Sequence, residues 1–176
     1  MRFLEIRLAG AYVIEIEPHD DSRGFFARTF CRDEMTAAGL PGEFMQASVS
    51  YNTRRGTLRG MHFQAAPHEE PKLVRCTRGA IHDVIIDLRP ASPTHREWFA
   101  IELTAYNWRT LYVPPGFAHG FQTLVDDTEI LYQMAEPYVA ELARGVRWND
   151  PAFGIEWPFP DPILSERDAG YPDYRA

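Results

Sequence analysis

Fourteen prolines and twelve glycines are spread along 176 residues and cap the length of any regular segment. Proline has no backbone N–H and breaks helix interiors, and glycine favours turns, so the chain is cut into pieces too short for long helices. Most of those pieces read as strands. They are predicted at residues 12–17, 25–30, 44–52, 57–64, 72–77, 80–88, 97–104, 109–113, 119–125 and 128–134. Many short strands separated by turn signals predict an all-β fold, an antiparallel sandwich or barrel. The one clear helical stretch is 33–38, with Gly39 as its stop. No repeat or linker interrupts residues 1–176, which read as a single domain. The last thirty residues are rich in proline and aromatics and read as an ordered, irregular wrap around the barrel.

Residues 80–88 alternate Ile81, Asp83, Ile85 and Asp87 on one face with His82, Val84, Ile86 and Leu88 on the other. Two largely apolar faces mean cover on both sides, by another sheet or another subunit. Asp83 then lies inside, where a carboxylate needs a partner.

The net charge of −7 argues against a dedicated nucleic-acid binder, which neutralises phosphates with Lys and Arg. A local cationic pocket for an anionic ligand is still compatible with it. The opening MRFLEIRLAG is not a secretory signal. The longest stretch free of Asp, Glu, Lys and Arg, 110–125, contains two prolines and two glycines and is too short to span a membrane. Cys31 and Cys76 lack metal-ligand spacing and read as buried free thiols. These features together predict a cytoplasmic protein.

Four polar residues fall on predicted strands among apolar neighbours: His62, Lys72, His119 and Tyr132. Singly, each reads as a structural histidine, a solvated lysine or a packing tyrosine. On separate strands of one small barrel they converge, because a barrel interior gathers alternate residues from every strand. Arg23 and Arg59 read singly as surface charge, but guanidinium also suits a phosphate or carboxylate clamp. The segment VPPGFAH matches the PxGxxH element of cupin barrels. The metal-binding HxH element of those barrels is replaced here by His62, Phe63 and Gln64, so a metal-dependent reaction is not expected.

From DSRGFF through TLRGMHFQ, KLVRCTRGAIHDVIIDLRPASPT, LYVPPGFAHGF, ILYQM and VRWNDPAFGIEWP to LSERD, the chain resembles the dTDP-4-dehydrorhamnose 3,5-epimerases. The resemblance runs from about Tyr12 to Asp168. It implies a cupin-type antiparallel β-sandwich or jelly-roll barrel with a few short helices. It also implies a homodimer that exchanges edge strands near the N-terminus, and a reaction without metal or cofactor. The implied substrate is a nucleotide-linked 4-keto-6-deoxyhexose, dTDP-4-dehydro-6-deoxy-D-glucose, converted to dTDP-4-dehydro-L-rhamnose for polysaccharide biosynthesis. By the same resemblance His62 is the catalytic base, Tyr132 the proton donor, Lys72 the residue near the ketone oxygen and Asp168 the partner of His62. His119 and Asp83 form a second histidine–aspartate pair. Arg23 and Arg59 contact diphosphate and sugar, Gln46 lies on the nucleotide side and Tyr138 stacks on the base.

Those residue types fit the chemistry. Loss of a proton beside a carbonyl gives an enolate, and inversion needs a base on one face and an acid on the other. Imidazole titrates near neutrality, a carboxylate orients it, and a cation stabilises the growing oxyanion. There are departures from the family pattern. Arg28 stands where many members have glutamate, and Arg167 where lysine is frequent. QASVSYN differs from the QDNHS-type segment, and Glu141 is only near the place of a further binding glutamate. All of these fall in the substrate-holding shell. They leave open a C3-only or C5-only epimerase on another nucleotide sugar. A non-catalytic cupin-like sugar-nucleotide binding protein is the reading from outside the enzymes.

Overall fold

The computed structural model describes residues 1–175. Its strands are β1 (Arg2–Glu5), β2 (Tyr12–Glu15), β3 (His19–Asp21), β4 (Gly24–Phe26), β5 (Gln46–Asn52), β6 (Leu58–Gln64) and β7 (Lys72–Arg78). They continue with β8 (Ala80–Asp87), β9 (Trp98–Thr104), β10 (Thr110–Val113), β11 (Phe117–Thr123), β12 (Thr128–Met134) and β13 (Ala143–Gly145). The helices are α1 (Arg32–Ala37) and α2 (Glu166–Ala169), with one 3₁₀ turn at Ala140–Leu142.

Two sheets face each other, in the order β1-β2-β10-β7-β12-β5 and β13-β6-β11-β8-β9, and β3 and β4 form a separate hairpin. Every strand pairing is antiparallel. This is the cupin-type sandwich that the resemblance implied. Between the sheets lie Val74, Cys76, Ile81, Ile85, Leu103, Leu111, Phe121 and Ile130, all fully or nearly fully buried. Burial pushes the Cys76 thiol up to about 11, so it stays protonated. Cys31 is free and only partly buried.

A second core covers the outside of the five-stranded sheet. Met61, Val84, Ile86 and Ala118 pack there against Val146, Phe153, Ile155, Trp157 and Tyr174. The second cover of β8 is therefore the C-terminal wrap of the same chain, not another sheet or subunit. The wrap is fastened by reciprocal bonds between the Gln122 amide and the Phe159 backbone, both 2.9 Å. Leu58 N–H donates to Ile163 C=O and Ile163 N–H to Gly56 C=O, again at 2.9 Å.

α1 covers part of the outside of the six-stranded sheet, burying Met35 against Ile14, Leu73 and Tyr112. Asp33 and Glu34 in its first turn suit the helix dipole. Gly39, at φ +75°, ends it in a left-handed conformation that costs other residues energy. The strand predicted at 25–30 stops at Phe26, because Phe30 instead packs edge-on against Phe44 at the helix end. No helix among the described residues is long and apolar enough to cross a membrane.

Candidate active site

On β6 the side chains of Met61 and Phe63 turn outward to the wrap, so His62 and Gln64 turn inward. His62 pairs across the strands with His119 of β11. That register depends on two glycines. A Cβ on Gly60 would lie 2.6 Å from Gly120 Cα, and one on Gly120 would lie 2.6 Å from Met61 Sδ and 2.9 Å from Arg59 O. The backbones of β6 and β11 touch where the two histidines are mounted.

The wrap brings Asp168 to His62. Ser165 Oγ accepts the Asp168 N–H (3.1 Å) and caps α2, and the Asp168 carboxylate, 6% exposed, lies 2.7 Å from His62 Nε2. Burial alone would raise the Asp168 carboxyl. The His62 hydrogen bond and charge, with Ser165 and the Gly60 backbone, outweigh it and hold it below the usual range. An ionised carboxylate only accepts, so the imidazole donates to Asp168 from Nε2 and Nδ1 is the ring nitrogen that Asp168 leaves unengaged. His62 is 41% exposed and faces a cavity.

The cavity in front of His62 has a volume of about 200 Å³. Lys72, Glu70, Tyr138, Arg144 and Arg167 line it together with Phe63 and Gln64. Lys72, first residue of β7, is nearly buried, and its Nζ lies 2.7 Å from Glu70. Tyr138 is exposed, and its backbone N–H donates to Gln46 Oε1 at 2.8 Å. The Arg167 guanidinium lies over the Tyr171 ring, which makes an edge-type contact with the His62 ring.

Deeper between the sheets, Asp83 accepts from His119 at 2.8 Å, and the His119 ring stands edge-on to Tyr132. Asp83 Oδ2 has no hydrogen-bond partner among the described residues. Tyr132 projects inward from β12. Burial first, then the Asp83 charge, push its phenol well above 10, with Arg59 pulling the other way. It therefore stays protonated and able to donate at neutral pH. Arg59 Nε donates to Asn52 Oδ1 at 2.8 Å.

His62, Lys72, Tyr138 and Arg167 thus meet at one cavity. Asp168 is buried behind His62, His119, Asp83 and Tyr132 lie between the sheets, and Arg59 is exposed on β6. Arg23 and Arg28 do not join them within the chain. Arg23 is exposed on the β3–β4 turn and pairs with Asp21 at 2.6 Å. Arg28 pairs with Glu34 of α1 beside a separate cavity that also includes Met1, Glu17 and Phe26. Gln64, at the position of the second metal-binding histidine in other cupins, spends its amide on the loops. It donates to His68 O (2.5 Å) and Pro137 O (3.0 Å) and accepts from Val139 N–H (2.7 Å). Among the described residues, no three His, Cys, Asp or Glu side chains group as a metal site. Sequence reading missed Glu70, Arg144 and Tyr171. Only Glu70 carried a usable signal, since i and i+2 share one side of an extended segment with Lys72.

A jelly-roll barrel whose cavity holds a lysine and an aspartate-paired histidine, with a protonated tyrosine deeper between the sheets, is of the cupin class, and an isomerase by its relatives. The family profile described as dTDP-4-dehydrorhamnose 3,5-epimerase matches residues 5–176, and the chain belongs to that family. It is 43% identical to the dTDP-4-dehydrorhamnose 3,5-epimerase of Sinorhizobium fredii, over 98% of this chain and 89% of that one. The crystal structure of the dTDP-4-dehydrorhamnose 3,5-epimerase of Bacillus anthracis, with TDP and PPi bound, superposes with a TM-score of 0.95 at 42% identity, covering 98% and 99% of the two chains. That of ChmJ, a 3'-monoepimerase from Streptomyces bikiniensis in complex with dTDP-quinovose, gives 0.88 at 31% identity, covering 97% and 86%.

Proposed function

We propose that the protein inverts C3 and C5 of dTDP-4-dehydro-6-deoxy-D-glucose to give dTDP-4-dehydro-L-rhamnose, without a cofactor. The observation that carries this reading is the His62–Asp168 dyad, with His62 lining a cavity that also holds Lys72. His62 Nδ1 takes the proton beside the ketone, and Asp168 stabilises the imidazolium that forms. The bond electrons move into the carbonyl, and the Lys72 ammonium stabilises the resulting enolate oxygen. Tyr132 returns a proton to the opposite face of the carbon. Arg144 and Arg167 at the rim supply the charge for a diphosphate, and Tyr138 a face for the base.

Arg23 and Arg28 are remote from this cavity within one chain. In a homodimer that exchanges its N-terminal segments they complete the partner's nucleotide site. The protein is assigned to the cytoplasm, where sugar nucleotides are made. A C3-only reaction is the second reading, favoured by the likeness to ChmJ.

The test is incubation with the dTDP-ketosugar in deuterated water, followed by NMR of the sugar protons. Deuterium and inverted configuration at both C3 and C5 are expected. Inversion at C3 alone selects the second reading. Binding with neither exchange nor inversion overturns both.

A further inference from the structure

We propose that Glu70 is a positioning residue for Lys72, holding its ammonium at the cavity wall where the substrate's ketone oxygen gains negative charge. This rests on the epimerase reading above and extends it to a residue with no role in it so far.

Glu70 is the single carboxylate among the residues lining the cavity, which otherwise offers His62, Lys72, Arg144 and Arg167. A carboxylate there works against a diphosphate ligand, so its presence asks for a compensating reason. Its contact supplies one. Glu70 Oε2 lies 2.7 Å from Lys72 Nζ, with the side chains 12% and 10% exposed. Among the described residues Glu70 is the sole ion-pair partner of Lys72. A nearly buried ammonium without a counter-charge is strongly disfavoured, and a four-carbon stem without an anchor samples several rotamers.

Glu70 is itself held in place. Its loop is tied at His68 by the buried Gln64 amide, at 2.5 Å. His68 Nδ1 also lies 3.5 Å from Glu136. Immediately after Glu70, the Pro71 carbonyl accepts the Ala135 N–H at 3.0 Å. The carboxylate is therefore presented by a loop fastened on both sides, as preorganised electrostatic stabilisation requires.

The test compares the parent, Glu70→Gln, Lys72→Met and the double variant for steady-state turnover and for substrate α-proton exchange in deuterated water. Glu70→Gln keeps shape and removes charge. It should lower kcat about tenfold or more while KM stays within about threefold. In the Lys72→Met background the same change should alter exchange less than about twofold, because Glu70 acts only through Lys72. Glu70→Asp keeps the charge but loses reach, and should give an intermediate loss should the glutamine variant fold poorly. A Glu70→Gln kcat at half the parent value or above overturns the proposal. So does a loss confined to KM, or an equal fold-loss with and without Lys72. A parent that exchanges no proton overturns the epimerase reading and this role with it, whereas an active parent with an indifferent Glu70 overturns this role alone.

Discussion

Asp87 offers a measurement of how much one buried carboxylate holds the barrel together away from the active site. It is fully buried at the end of β8 and accepts from Arg89 N (3.0 Å), Nε (2.8 Å) and Nη2 (2.7 Å), Ser92 Oγ (2.5 Å) and Thr94 Oγ1 (2.7 Å). Burial by itself pushes the carboxyl up. The bonds from Arg89, Ser92 and Thr94 more than reverse that, and bring it from 3.8 down to about 2. The gap is worth about 2 kcal/mol of folding stability, a sizeable part of the 5–15 kcal/mol typical of a domain. Because the folded value is the lower one, this stabilisation is complete above about pH 4. It drains away as the pH falls from about 4 to about 2. Asp87→Asn keeps the shape, removes the charge and turns an NH₂ group toward donors. For a chain of this size it should lower Tm by about 4–8 °C at pH 7. It should also flatten the fall in Tm on acidification between about pH 4 and pH 2. Thermal unfolding followed by circular dichroism, at one protein concentration and several pH values, reads both effects. Turnover at 25 °C should be nearly unchanged, since Asp87 is not among the residues lining the catalytic cavity. An Asp87→Asn protein melting within about 1 °C of the parent, with the same acid limb, would refute the reasoning.

Three further outcomes concern the site. His62→Asn should cost at least about 10²–10⁴-fold in epimerisation and abolish α-proton exchange. Binding of dTDP, read by calorimetry, should stay close to that of the parent. Tyr132→Phe should still exchange the α-proton through His62 while forming little inverted product, and inversion at near the parent rate would return Tyr132 to a packing role. Gly120→Ala forces a Cβ to within 2.6 Å of Met61 Sδ and must part β6 from β11. It should cost about 1–3 kcal/mol of stability and about 10²-fold in kcat, so a variant with parental Tm and kcat would contradict the close approach.

Strands with clean alternation were legible from the residues alone. The prediction at 128–134 coincides with β12, where Ile130 and Tyr132 face the core and alternate with partly exposed neighbours. β1 and β13 were not legible. RFLE is mostly exposed and ARG spans three residues, so each owes its state to a partner strand rather than to its own pattern. The two-faced strand at 80–88 was read correctly as covered on both sides. Alternation reports burial and not the identity of what buries, and the cover turned out to be Phe153, Ile155 and Trp157 of the same chain. The inward set of His62, Lys72, His119 and Tyr132 followed from strand parity, whereas Asp168 came from the family resemblance, because its place on the outer wrap follows from no local pattern. Arg23 and Arg28 show the opposite limit, since the motif that assigned them to the site did not place them there within the chain, where they pair with Asp21 and Glu34.

The dyad also has an order in time. His62 and Asp168 stand 106 positions apart, and every strand of both sheets precedes Asp168 in the chain. A ribosome adding about 5–20 residues per second therefore makes the imidazole many seconds before the carboxylate it pairs with. Only near the end of that interval, once β13 is made, can the nascent barrel pair all its strands, and His62 still lacks its carboxylate partner. Removal of the chain after Ile163, beyond the contacts that tie the wrap to the sheets, would leave both sheets covered and His62 without its carboxylate partner.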